Sequence, residues 1–172
     1  MAKTFYLGLD AGLYIANKSL DQRPGGSGTW DYNTVTWTEI LNVGDVSLGG
    51  DPETADLTTR DSARTGFTSE VDVIEKGQLT FTMSIKDLSL DTILEQIVSA
   101  KIAKTELAFL DLTQLKSDAE SWGFVGNFTV NFQQNKPVKG GQIINVTAKL
   151  VSFSDYLEVD TPDVDFKVFG TP

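Results

Sequence analysis

The chain has 172 residues, 14 basic against 24 acidic for a formal net charge of −10, and neither cysteine nor histidine. That length suits one domain, able to bury about two-thirds of its unfolded surface. The missing residue types exclude disulfides, thiolate metal sites, cysteine nucleophiles and a Ser-His-Asp triad, and the acidic balance disfavours static binding to nucleic acid or anionic membranes.

At the start, "MAKTFYLGLD" holds a short apolar run that Asp10 closes, too brief for a signal peptide. No apolar stretch reaches the ~20 residues that cross a bilayer. The expectation is a soluble chain made in the cytoplasm.

Residues 5–17, "FYLGLDAGLYIAN", predict one or two short strands, with Leu13, Tyr14 and Ile15 the best-ordered part. "RPGGSGTWD" then breaks any element, and residues 18–33 are read as a flexible loop. "VTWTEILNVGDVSL", Val35 to Leu48, is rich in β-branched and aromatic residues and predicts a long strand or a bent pair, with a bulge or bend at Gly44. Residues 49–66 are read as a long inter-strand loop, after which "FTSEV" resumes a short strand from Phe67.

From Gln78 to Lys86 the alternation is strict: Leu79, Phe81, Met83 and Ile85 face one way, and hydroxyls, Gln78 and Lys86 the other. Leu90, Ile93, Leu94, Ile97 and Val98 fit a helical stripe, so a helix is predicted over about residues 90–101, with Ser89 or Asp87 as N-cap. "TELAFLDL" reads as a buried strand and "TQLKSDAES" as a polar turn. Trp122, Phe124, Phe128, Val130 and Phe132 share one parity, as do Ile144, Val146, Ala148 and Leu150. With Pro137, Gly140 and Gly141 between them, these runs predict a hairpin. Residues 155–172 carry most of their charge as acid and are read as an extended, loosely held tail. The fold class expected is mainly β: a β-sandwich or partly closed barrel with one flanking α-helix.

Chemical readings are weak throughout. In "TADLTTRDSARTG", Asp61-Ser62 pairs a hydroxyl with a carboxylate, but no base stands by to activate it. Asp51, Glu53 and Asp56 alternate acids without the glycine and terminal glutamate of a calcium loop. The glycine-rich stretches lack a phosphate-binding arrangement, and turn chemistry accounts for them. Trp30, Trp37 and Trp122, with Tyr14 and Tyr32, would serve a carbohydrate platform, though core or subunit interface is the commoner use of such aromatics. No catalytic residue, metal ligand or cofactor is expected.

Taken in order, "AGLYIA", "ILNVGDVSL", "ETADLTTRDSARTGF", "GQLTFTMSI" feeding a helix, "WGFVGNFTVNFQQNKPV" and "INVTAKL" resemble the tail tube proteins of long-tailed bacteriophages and prophages, over nearly all of residues 11–152. The resemblance implies a single tail-tube-like domain over residues 1–172, a non-enzymatic subunit of hexameric rings that stack into a hollow tube. Its implied partners are further copies of itself, other tail proteins, and genome DNA that passes through the lumen without specific binding. No membrane binding is implied, and the location is the virion tail, assembled in the host cytoplasm. The long loop would reach the neighbouring ring, making Asp51, Glu53, Asp56, Thr58, Thr59, Arg60, Asp61 and Arg64 the ring-stacking residues. An acidic polar lumen would let DNA slide, because like charge removes the counterion-release term. Ring closure also protects sheet edges. Three further readings are weighed: a carbohydrate-binding or adhesion module, a tube subunit of a contractile injection system, and a glycosidase built on two carboxylates about 5 to 9.5 Å apart.

Overall fold

The computed structural model describes residues 11–20, 31–49, 52–56, 70–75, 77–85, 92–135 and 141–170. Among them the β-branched and aromatic runs become strands: β1 (Gly12–Ala16), β2 (Trp37–Glu39), β3 (Val43–Gly49), β4 (Pro52–Asp56), β5 (Glu70–Glu75), β6 (Gln78–Ile85), β7 (Glu106–Leu112), β8 (Trp122–Asn135), β9 (Gln142–Thr161) and β10 (Asp165–Val168). One helix, α1 (Thr92–Ala103), stands between β6 and β7. Eight strands form one antiparallel sheet in the order β2-β1-β7-β8-β9-β6-β3, with β10 added to the far half of β9. β4 and β5 pair separately as a two-stranded ribbon.

The sheet curls strongly. Its two ends, β2 and β3, are consecutive in the chain and joined only by Ile40, Leu41 and Asn42. Those residues strap the gap: Ile40 N donates to Leu13 O on β1 at 2.8 Å, and Ser84 N on β6 donates to Asn42 O at 3.1 Å. Asn42 takes φ 62, a left-handed conformation that asparagine tolerates better than most residues. The core reports the same curvature. Phe81 on β6 and Phe109 on β7 lie three strand positions apart, ~14 Å on a flat sheet, yet their ring centroids are 5.9 Å apart. β2 and β3 do not pair, so the result is a partly closed barrel.

The core inside the curl holds Leu13, Ile15, Leu79, Phe81, Met83, Phe109, Phe128, Val130, Ile144 and Val146. Helix α1 covers it with Leu94, Ile97 and Ala100, while Ile93 and Val98 pack at the margin. Gln96 Nε2 ties the helix to Ala16 O at 2.6 Å. Lys101 sits 4.1 Å from the Phe132 ring centroid and donates to Phe132 O at 3.2 Å. The helix ends where Lys104 turns left-handed (φ 56) and Thr105 N bonds back to Ala100 O at 3.0 Å. It therefore runs to Ala103 rather than 101, and the expected Leu90 and its caps lie outside the described residues.

A second core lies on the opposite face of β1, β7, β8 and β9: Tyr14, Ala16, Ala108, Leu110, Leu112, Val125, Leu157 and Val159. Leu20, Tyr32, Val35 and Phe166 cover it. This corrects two sequence expectations. The flanks of the 18–33 loop are pinned rather than flexible: Asn127, buried at 1 % exposure, accepts from Leu20 N at 2.8 Å and donates to Leu20 O at 2.6 Å. The C-terminal tail is held rather than loose, since Asn33 makes the same reciprocal pair with Phe166, at 2.9 and 2.8 Å. A buried amide that satisfies both backbone groups of its partner removes the desolvation penalty that would otherwise expel the segment.

Within the expected 49–66 loop, Pro52–Asp56 is instead strand β4, paired with β5 through a register shift between Glu53 and Thr54. The bend in the 35–48 run falls at Ile40–Asn42, and the register slips between Val43 and Val46, a bulge that contains Gly44.

Candidate assembly surfaces

The polar parities of four strands meet on one face. Pairing across β3, β6, β9 and β8 gives a row of Ser47, Thr80, Thr147 and Asn131, and a second of Thr82, Asn145 and Gln133. A third row runs Gln78, Lys149, Thr129 and Glu106 and holds charges of both signs, while exposed Asp45 stands in the β3 bulge beside the second row. All these positions are exposed or half-buried, opposite the inner core. The surface is a ladder of hydroxyls and amides about four strands wide, some 15–20 Å by the usual strand spacing.

At the other end of the hairpin the inner face passes from buried Leu13 through half-buried Asp111 and Phe124 to exposed aromatics. Leu13, Asp111, Phe124, Tyr156 and Phe169 form one row across β1, β7, β8, β9 and the residue after β10. Trp122, Glu158 and Lys167 form the next. Trp122 is 42 % exposed, Tyr156 48 % and Phe169 49 %. Trp122 packs on Phe169 at 5.1 Å and Phe124 on Tyr156 at 5.3 Å. Lys167 is engaged by Glu158 at 3.1 Å and Asp160 at 3.5 Å, which raises its pKa.

The Asp111 carboxylate has no hydrogen-bond or ion-pair partner among the described residues. Burial pushes its carboxyl up to about 6. Sequence reading passed over it, though a single acid inside "LAFLDL", a run expected to be buried, was the available signal. Gly123 beside it is fixed by space: a Cβ there would collide with the Asp111 carbonyl oxygen.

Of the ring-stacking residues expected from sequence, Glu53 and Asp56 sit on β4 opposite Ile74 and Glu70. Asp51, Thr58, Thr59, Arg60, Asp61 and Arg64 lie outside the described residues, as does Ser62. An extended strand at Glu53 and Asp56 does not wrap a cation as a calcium loop must. Among the described residues no group of three acids is placed to hold a metal. The expected aromatic platform is split. Tyr14 and Tyr32 are buried in the second core, Trp37 donates its indole N–H to Tyr32 O at 2.9 Å, and Trp122 stands on the other side of the sheet. Trp30 lies outside the described residues.

No known protein family and no curated protein matches the sequence. Solved structures match in shape. The tail of an empty gene transfer agent particle, refined helically with C6 symmetry, superposes with a TM-score of 0.60 at 14 % identity, covering 87 % of this chain and 97 % of that one. The virion of a native gene transfer agent particle gives 0.58 at 12 % identity, with the same coverage of both chains. The SPP1 tail tube gives 0.54 at 12 % identity, covering 92 % of this chain and 80 % of that one. At these identities the likeness is one of fold, shared between this chain and the gene transfer agent and SPP1 tail structures.

Proposed function

We propose that the chain is a structural, non-enzymatic subunit of a tail tube, closing into six-membered rings that stack around a channel for DNA. The observation that carries this is the four-strand polar face of β3, β6, β9 and β8, joined to a fold shared with assembled tails. A conduit must wet the cargo without holding it. Hydroxyl and amide rows supply hydrogen bonds that water satisfies equally well, and a face whose charges are one lysine against one glutamate in its charged row releases no counterions when DNA passes. The charged row of this face thus sets one lysine against one glutamate, where composition alone implied an acidic lumen.

The partners are further copies of this chain and the remaining tail proteins, and the place is the virion tail. The ends of the curled sheet, β2 and β3, offer edges for neighbours in the ring, since ring closure pairs edges that a monomer must otherwise protect. Electron microscopy of the purified protein tests the reading. Six-membered rings or tubes are expected as concentration rises, and persistent monomers under every salt condition would defeat it. Stacking is tested by replacing residues 58–65 with a short Gly-Ser turn, which spares the β4–β5 ribbon. Rings that no longer stack are expected. Loss of folding would mean that this segment belongs to the core.

A further inference from the structure

The aromatic face at the open end of the barrel has the chemistry of an arginine receptor. Three large aromatics about half exposed on one face make a contiguous apolar patch, and the largest such patch on a subunit is often an interaction site. Its charge is one-sided, with Asp111, Glu158 and Asp160 against Lys167, and Lys167 is already committed to Glu158 and Asp160. The Asp111 carboxylate alone has no partner among the described residues. A guanidinium suits such a place, because it stacks on aromatic rings and forks onto a carboxylate, which an ammonium does less well. The chain has only three arginines, Arg23, Arg60 and Arg64, and two of them lie in the segment between β4 and β5.

We infer that the face formed by Trp122, Phe124, Tyr156 and Phe169 around Asp111 receives the segment at residues 57–69 of a second copy, with Arg60 or Arg64 seated on Asp111. This rests on the tube reading for its setting, since it names where the stacking segment of one ring lands on the next. Charge complementarity selects the occupant: an apolar partner would leave Asp111 buried without a counterion, and an acidic one would be repelled by it.

Two experiments decide it, one of which does not depend on assembly. The dispersed protein is titrated with a peptide of residues 54–66, "TADLTTRDSARTG", followed by nuclear magnetic resonance. Saturable, salt-sensitive binding is expected, weakened about tenfold by Trp122→Ser or by Asp111→Asn and absent for a peptide with both arginines replaced by glutamine. Urea midpoints of both variants check that they fold. No binding, or binding that neither variant weakens, overturns the inference.

For the second, the natural absence of cysteine allows a clean cross-link. Ser62→Cys combined with Thr113→Cys, an exposed residue beside Trp122, is treated with a flexible bis-maleimide in assembled tubes. A ladder of linked subunits is expected, and tubes that give no ladder overturn the docking while leaving the tube reading intact. If no tubes form at all, the tube reading falls and the peptide titration alone decides the docking.

Discussion

The β8–β9 hairpin is one ladder used in two opposite ways. From Phe128 to Asn135, paired with Ile143 to Leu150, the even-numbered side faces the inner core and the odd-numbered side carries Thr129, Asn131 and Gln133 outward. From Trp122 to Gly126, paired with Ser154 to Glu158, the odd-numbered side is buried with Val125 and Leu157, and the even-numbered side shows Trp122 and Tyr156 to solvent. The alternation never changes parity. What changes is which side has a cover, and the switch falls where the register jumps from Gly126–Ser154 to Phe128–Leu150. Asn127 sits in that jump and clamps Leu20, so the segment that covers the second core is fastened at the point where the covered side reverses. One strand pair thus offers a polar face at one end and an aromatic face at the other.

The largest effect is expected at the crowded end. Gly123→Ala puts a methyl into the Asp111 backbone, where no side chain can yield, and should cost about 3 kcal/mol or more in urea unfolding. Gly49→Ala, whose added carbon meets nothing within 4 Å, should stay within about 0.5 kcal/mol. Equal losses at both sites would mean that Gly123 is not crowded as described. Next comes the reversal point. Asn127→Ala removes both bonds to the Leu20 backbone and the 3.1 Å bond to Ser152 Oγ, and should cost about 2–3 kcal/mol. Hydrogen exchange should then rise at Leu20 and leave Ile144 and Val146 in the inner core unchanged.

Much of this hairpin was legible in the sequence, and the part that was not has a physical reason. Strict alternation in Gln78–Lys86, Trp122–Gln133 and Ile144–Leu150 predicts the strands and the hairpin, because a period of two states which residues share a side. It does not state which side is covered. Trp122 and Phe124 share parity with Phe128 and Val130 and read as one core stripe, but Phe124 packs only at the margin of the inner core and Trp122 lies beyond it. The pinned flanks of 18–33 and the tail escaped for a related reason. Glycine, proline and acid content describes local stiffness and solvation, whereas Asn127 and Asn33 act on Leu20 and Phe166, which lie more than 100 positions away in the chain. Asp111 was passed over because an apolar run read as buried does not state whether its one acid has a partner until its cross-strand neighbours are known.

Asp111 gives the next test of the aromatic end. Leu13 on β1 and Phe124 on β8 flank it, and the charged groups on that face are Glu158, Asp160 and Lys167 on β9 and β10. A carboxyl held near 6 by burial opposes folding while it is charged. The penalty is therefore fully present above about pH 6 and is relieved as pH falls toward 3.8. Asp111→Asn should raise stability by about 2 kcal/mol at pH 8, after discounting for partial exposure, with the difference from the parent chain closing by pH 4. A difference that is flat across that range would remove Asp111 from the account. Its docking role predicts the opposite cost in assembly: the more stable variant should stack its rings less well.

The smallest change in stability is expected at the polar end, where the functional change should be the most visible. Thr147 is half-buried, with Thr80 and Asn131 as its cross-strand neighbours, and its side chain lies away from the inner core. Thr147→Lys should alter unfolding by no more than about 0.5 kcal/mol, because the longer chain extends into solvent. In a ring of six it would add six cations at one level of the channel if that face lines it, and counterion release would then favour retention of DNA. Tubes of this variant should hold short duplex DNA at low salt and release it as salt rises, whereas parent tubes should not retain it. The same substitution at Thr113, on the aromatic end, supplies the control. Lysine there should weaken stacking by competing for Asp111 and leave DNA retention unchanged. If Thr113→Lys tubes held DNA and Thr147→Lys tubes did not, the two ends of the hairpin would exchange roles, with the aromatic end turned to the channel and the hydroxyl ladder turned to the neighbouring subunits.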